Sequence, residues 1–116
     1  MKEKMENSLY ADAGIPEFVF PLFWEYDPGT IKIIKHADLI ICRIMERGTW
    51  SSMLWLAETY PKEKLVSFLE KRGRRILPFR ELNYWALVSG ISIEKKEKWV
   101  KESRENPDVW RARHAH

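Results

Sequence analysis

Residues 33–48, IIKHADLIICRIMERG, carry the clearest helix pattern in the chain. Their apolar members recur at helical intervals of three, four, three and one, on one face: Ile34, Ala37, Ile41, Ile44 and Met45. Thr30 or Asp27 is a suitable N-cap, and Gly48 stands where a left-handed C-cap would end the helix. His36 lies at the margin of the apolar face. The stretch therefore predicts a core helix in which His36 is a packed or surface residue, not a catalytic one.

Composition limits the class of protein. The 116 residues fit one compact domain, and an apolar fraction of 45% is ordinary for a globular chain. No apolar run reaches eighteen residues and no apolar stretch follows the first charges, so we expect neither a membrane span nor a secretory signal. The single cysteine, Cys42, cannot form an internal disulfide, which favours the cytoplasm. Absence of Gln, three Asn and 32% charged residues are typical of thermophile proteins.

The aromatic content is high, with six Trp, five Phe and four Tyr. Large rings bury much area, so they allow a short chain to close a core. One cluster precedes the core helix, and we expect it to fold over the helices: Phe18, Phe20, Leu22, Phe23 and Trp24. Pro16 and Pro21 limit any helix in this segment to one or two turns. The sequence DPG at 27–29 is typical of a turn.

Four further helices are predicted downstream. One runs from Thr49 to Tyr60, with Thr49 or Ser51 as N-cap and Pro61 as its end; the next covers about 62–72 and stops at Gly73. A fourth starts near Pro78 and stops at Gly90, and a fifth, highly charged, runs from a Ser92 cap to Asn106.

Period-two alternation is not sustained in any segment. The predicted fold class is therefore all-α: a single compact domain of about five helices with short loops, and with the N-terminal aromatic segment packed over them. Residues 1–14 are expected to form a mobile arm, 15–106 the helical domain, and 107–116 a tail.

Sequence motifs for catalysis are missing. The five glycines are scattered singly, so there is no phosphate-binding loop. The three His and one Cys have no metal-ligand spacing, no Ser or Cys has a His at motif distance, and the four Asp form no Asp-x-Asp pair. We expect no cofactor, no metal and no catalysis by this chain alone.

Charge divides unevenly along the chain. Residues 1–60 hold six Lys/Arg against nine Asp/Glu, a balance of −3, and residues 61–116 hold fourteen against eight, a balance of +6. Five cations gather within the stretch 71–80: Lys71, Arg72, Arg74, Arg75 and Arg80. Two helices around a basic turn resemble a helix-turn-helix, with Arg80, Glu81 and Tyr84 near bases. The alternative is a solvated loop whose arginines cap a helix end.

Two polar residues interrupt apolar helices. Arg43 and Asn83 each need a hydrogen-bond partner if buried. We expect Arg43 to hold Asp27 or Glu25 and so fix the N-terminal segment, and Asn83 to bind a loop carbonyl. Both are interpreted as structural residues, with partner contact as the alternative.

Several segments resemble a family of short, uncharacterised prokaryotic proteins: LFWEYDP (22–28), KHADLIICRIMERG (35–48), LAETYPKEKLVSFLEKRGR (56–74) and LNYWALVSGI (82–91). That family has a Leu-Phe-Trp-Asp-like start followed by a helix of the form Ile-Ile-x-Arg-Val-Leu-x-x-Gly. The positions on the pattern are Phe23, Trp24, Asp27, His36, Ile40, Ile41, Arg43, Gly48, Tyr60, Leu69, Leu82 and Asn83. Pro61 and Leu77-Pro78 depart from it at helix ends. Members are often encoded beside a nucleotidyltransferase-like toxin, so the resemblance implies an antitoxin-like or accessory role.

The expected function is that of a non-catalytic interaction module that binds a protein partner or forms a homodimer. The alternative is a nucleic-acid binder acting through residues 71–80. Candidate partner anchors are Trp50, Trp99 and Trp110. Trp50 and Trp55 lie about 140° apart on their helix, so both cannot face the core. At least one candidate ring should stay exposed or be covered by a second copy, unless Trp99 and Trp110 fold back onto the aromatic segment.

Overall fold

A computed structural model describes residues 13–106. Over this range the chain forms six α-helices: α1 (Ala37–Arg47), α2 (Trp50–Thr59), α3 (Lys62–Phe68), α4 (Arg74–Ile76), α5 (Phe79–Val88) and α6 (Ile93–Glu105). The only β feature of this range is an isolated antiparallel bridge between Gly14 and Lys32. The predicted all-α class is confirmed. Within residues 13–106 every helix is too short or too polar to cross a lipid bilayer.

The chain divides into two compact units, the first ending at Pro61 and the second beginning at Lys62. In the first unit a 3₁₀ helix, Glu17–Phe23, packs on α1 and α2. The carbonyl of Ala13 accepts the Ile33 N–H at 2.8 Å. The last two residues of the predicted arm therefore belong to this unit, and residues 1–12 lie outside the described range.

The core face of α1 and its end at Gly48 agree with the prediction, but the start of the helix and the conformation of its cap differ. Ala37, Ile41, Ile44 and Met45 are buried, whereas Ile34 precedes the helix and is exposed. Asp27, one of the two expected N-caps of α1, is instead the N-cap of the short 3₁₀ turn Pro28–Thr30, where its carboxylate accepts the Gly29 N–H.

Gly48 is not a left-handed cap, since its φ of −67° and ψ of 151° are extended. A Cβ at this position would lie 2.6 Å from the Ile44 carbonyl oxygen and 2.7 Å from Ser52 Oγ. Close packing between the end of α1 and the start of α2 is therefore what favours glycine here.

The aromatic segment is only partly buried. Val19 and Phe23, four residues apart in the 3₁₀ helix, are fully covered, but Phe18 is exposed and Trp24 is 78% exposed. The expectation that the whole cluster would be buried is wrong, because so short a helix presents one narrow face to its neighbours.

In the second unit, α3 does not stop at Gly73. It continues through a π-helical turn, Leu69–Gly73, into α4. Gly73 has helical φ and ψ, and a Cβ there would lie 2.9 Å from Leu69 Cδ2. The stretch 71–75 is therefore helical, and the connection to α5 is the pair Leu77-Pro78. The prediction that these basic residues form a turn between two helices is wrong.

The ends of α5 and α6 agree with their sequence signals. Gly90 has a φ of +82°, and the Ile91 N–H donates to the Ala86 carbonyl at 3.0 Å, which together form a glycine C-cap. Ser92 accepts the Lys95 N–H at 3.3 Å as the N-cap of α6. The helix then packs on α5 and buries Trp99 and Ser103.

Candidate interaction surface

Helix α2 exposes apolar side chains along one side. Trp50 is 63% exposed and Leu54 is 46% exposed, and Ala57 is also exposed. Their spacing of four and three residues puts them on one face, here called the α2 apolar face. Glu58 is the only ionisable residue of the helix. A solvent-facing helix normally carries charged residues on its outer side. The composition of α2 is instead typical of a helix whose outer side is buried against another surface.

The other side of α2 is held firmly. Leu56 is fully buried, and the Thr49 hydroxyl accepts the Ser52 N–H at 3.2 Å as the N-cap. After the helix, the buried Tyr60 donates its hydroxyl to the Ile33 carbonyl at 2.7 Å. The α2 apolar face is therefore presented by a fixed element, which reduces the entropy that a binding event must remove.

A charged clamp fixes the aromatic segment of the same unit. Arg43 Nη1 donates to the Leu22 carbonyl at 2.6 Å and to Glu25 Oε1 at 3.0 Å, while Nη2 donates to Glu25 Oε2 at 2.5 Å. The guanidinium also stacks over the Phe23 ring, 5.3 Å from its centroid. The hydrogen bond from Arg43 lowers the pKa of the Glu25 carboxyl below its ordinary value. Of the two partners expected for Arg43, the structure selects Glu25.

Replacing Arg43 by Met should lower the melting temperature by several degrees. The substitution leaves the partly buried Leu22 carbonyl without its donor and removes the ion pair. A lowered carboxylate pKa means that the pair stabilises the fold above pH 4.5 and that this contribution is lost as the pH falls through the lowered pKa. The melting difference between the two proteins, followed by circular dichroism, should therefore narrow on acidification. An unchanged melt at neutral pH together with lost partner binding would reassign Arg43 to the partner interface.

Of the other predicted anchors, Trp99 is 1% exposed within the second unit and so is not available to a partner. Trp110 lies outside the described residues. The first unit instead exposes Trp24 and Tyr26. Trp24 belongs to the cluster that was expected to be buried, and Tyr26 was not among the predicted anchors. Leu54 was also missed, although its distance of four residues from Trp50 in a nearly uncharged helix was a usable signal.

Asn83 lies on the exposed side of α5 and accepts a hydrogen bond from Lys96 Nζ at 2.7 Å. The predicted bond to a loop carbonyl is therefore replaced by a link between α5 and α6. His36 accepts the Lys32 N–H on Nδ1 at 2.9 Å, a local bond at the start of α1.

The predicted basic residues divide into two groups. Lys71, Arg72, Arg75 and Arg80 are exposed. Arg74 is half-buried and stacks over Trp99, 5.7 Å from the ring centroid. Residues 13–106 contain no group of three His, Cys, Asp or Glu side chains placed to hold a metal ion.

Comparison with protein families gives a match over part of the chain. Residues 20–69 match a family of unknown function (DUF6922). The matched segment includes the last four residues of the 3₁₀ helix, the Arg43 clamp and the α2 apolar face, and it stops before the exposed cations at 71–80. No match is found among curated proteins or among solved structures.

Proposed function

We propose that this chain is a non-catalytic protein-binding module that docks on a partner protein through the α2 apolar face. The observation that supports it most directly is the 63% exposure of Trp50 on a helix with one ionisable residue. Tryptophan is enriched among the residues that dominate binding energy at protein interfaces. A partner suited to this face has an apolar pocket for the Trp50 ring, with Leu54 and Ala57 filling the contact around it.

The partner class comes from the resemblance of the sequence. Proteins of that kind are often encoded beside a nucleotidyltransferase-like toxin, so we take such a toxin as the partner and restraint of its activity as the antitoxin-like role. Binding to an exposed, preformed helix requires no catalytic residue on this chain. The proposal therefore agrees with the lack of catalytic motifs in the sequence.

The test is a binding titration against the nucleotidyltransferase-like protein encoded in the same neighbourhood. Trp50→Ala should weaken the complex by at least about 2 kcal/mol, roughly 30-fold in Kd, as expected for a central interface aromatic. The matched control is Leu87→Ala, which truncates a side chain of similar exposure, 61%, in the second unit. It should leave the affinity unchanged.

Three results would contradict the proposal. The toxin-like protein could fail to bind at micromolar concentration, or Trp50→Ala could bind like the unsubstituted chain. A homodimer that dissociates on Trp50→Ala and excludes the toxin would assign the α2 apolar face to self-association. Light scattering during chromatography distinguishes this last case.

A further inference from the structure

Two guanidinium groups meet on one aromatic ring in the second unit. Arg104 of α6 lies 4.7 Å from the centroid of the Phe79 ring, and Arg80 of α5 lies 6.0 Å from it. Both arginines are exposed, and neither forms an ion pair with any of residues 13–106. Two like charges thus lie at one aromatic ring, and neither is neutralised by an ion pair within residues 13–106.

The fold brings these residues together from separate elements. The Ser103 hydroxyl donates to the Leu77 carbonyl at 2.8 Å, which holds the C-terminal end of α6 against the connection between α4 and α5. Arg104 follows Ser103, and Phe79 and Arg80 begin α5 directly after that connection. The surface formed by Arg80 and Arg104 around the Phe79 ring is here called the arginine patch.

The carboxylate next to Arg104 in sequence is engaged by another cation, since Glu105 pairs with Lys101 at 3.3 Å. Guanidinium groups without an acidic partner match the geometry of phosphate oxygens, to which they donate two parallel hydrogen bonds. The ring stabilises both cations by cation–π attraction while their outer edges remain accessible.

We propose that the arginine patch binds nucleic acid through its phosphodiester backbone. The two cations come from two helices and are exposed, which suits an extended polyanion that contacts both of them at once. A small phosphorylated ligand would instead be enclosed in a pocket. Base reading by α5 is not part of the proposal, because Asn83 is bonded to Lys96 and the stretch 71–75 is helical.

The experiment measures fluorescence anisotropy of a labelled 20-base-pair DNA duplex and of a single-stranded RNA of the same length. Both are titrated with the full chain at 50 and 200 mM salt. Binding of either probe should weaken steeply with salt, because each neutralised phosphate releases counterions. The double variant Arg80→Gln/Arg104→Gln should weaken binding at least about tenfold and lower the salt slope by about 2.

The control variant Lys62→Gln/Lys98→Gln removes the same charge from two exposed lysines of the second unit outside the patch. It should retain most of the affinity, and circular dichroism should show that both variants fold. Binding of either probe that is lost only in the arginine variant supports the proposal. Absence of binding to both probes at 50 mM salt, or an equal loss in the control, overturns it. These residues lie outside the α2 apolar face, so the outcome is independent of the toxin titration.

Discussion

Trp99→Ala is expected to lower the free energy of unfolding by about 3–5 kcal/mol, the usual cost of truncating a buried large aromatic side chain. Trp99 is 1% exposed and is one of two residues that α6 buries, the other being Ser103. The ring also supports two cations, with the Arg74 guanidinium 5.7 Å and Lys95 Nζ 5.9 Å from its centroid. Since small domains are stable by only about 5–15 kcal/mol, this single change should remove much of the stability.

Urea unfolding followed by far-ultraviolet circular dichroism measures this loss without depending on tryptophan emission. Ile93→Ala is the matched control, because Ile93 belongs to the same helix but is 65% exposed; its cost should be within about 0.5 kcal/mol. A Trp99→Ala protein as stable as that control would show that α6 does not hold to α5 through this ring.

The position of Trp99 also shows where sequence patterns lose information. The charged sequence of α6 conceals its buried side, because one of its two buried residues is a serine, which a hydropathy pattern counts as polar. Ser103 is buried because its hydroxyl bonds to the Leu77 carbonyl, a contact 26 residues away in sequence. Ile93, an apolar residue at the start of the same helix, is exposed.

Local signals were sufficient for several helix boundaries. Thr49, Gly90 and Ser92 cap their helices as the sequence indicates, because caps depend on residues within one turn. Gly48 and Gly73 were misinterpreted because neither adopts the left-handed conformation that a glycine cap implies. At each of them a Cβ would be crowded by residues four positions away, Ile44 and Ser52 in one case and Leu69 in the other, and a capping pattern does not include such crowding.

The residues of the candidate sites were also predicted only in part. The partner of Arg43 was narrowed to two carboxylates, and the structure shows why Glu25 is chosen: Asp27 Oδ1 accepts the Gly29 N–H in its own turn. Helix geometry indicated that Trp50 and Trp55 cannot both face the core, and Trp50 is the one that is exposed. The convergence of Arg80 and Arg104 on the Phe79 ring was not predicted, because it depends on α6 lying against the start of α5.

Two surfaces of different chemistry therefore lie in different parts of the chain. The α2 apolar face is nearly uncharged and falls inside the segment that matches the family, and the arginine patch falls outside it. Apolar contact is insensitive to salt while phosphate contact is strongly weakened by it. Trp50→Ala and Arg80→Gln/Arg104→Gln should thus affect separate binding activities of one chain.

Phe23→Ala should destabilise the first unit by about 3–5 kcal/mol, comparable to the effect of Trp99→Ala. Phe23 has no exposed surface and ends the 3₁₀ helix that packs on α1 and α2. Its ring lies beneath the Arg43 guanidinium at 5.3 Å and 6.5 Å from the Tyr26 ring. Removing it creates a cavity and also takes away the surface on which the charged clamp rests.

A double-mutant cycle with Arg43→Met separates these two effects. Because Phe23 and Arg43 are in contact, their costs should not add, and the double variant should be more stable than the sum of the single losses predicts. Phe18→Ala, in the same 3₁₀ helix but with a 51% exposed side chain, is the matched control and should cost little. Strict additivity in urea unfolding would show that the clamp is formed independently of the Phe23 ring, whereas a coupling of about 0.5 kcal/mol or more would show that the two hold the aromatic segment as one unit.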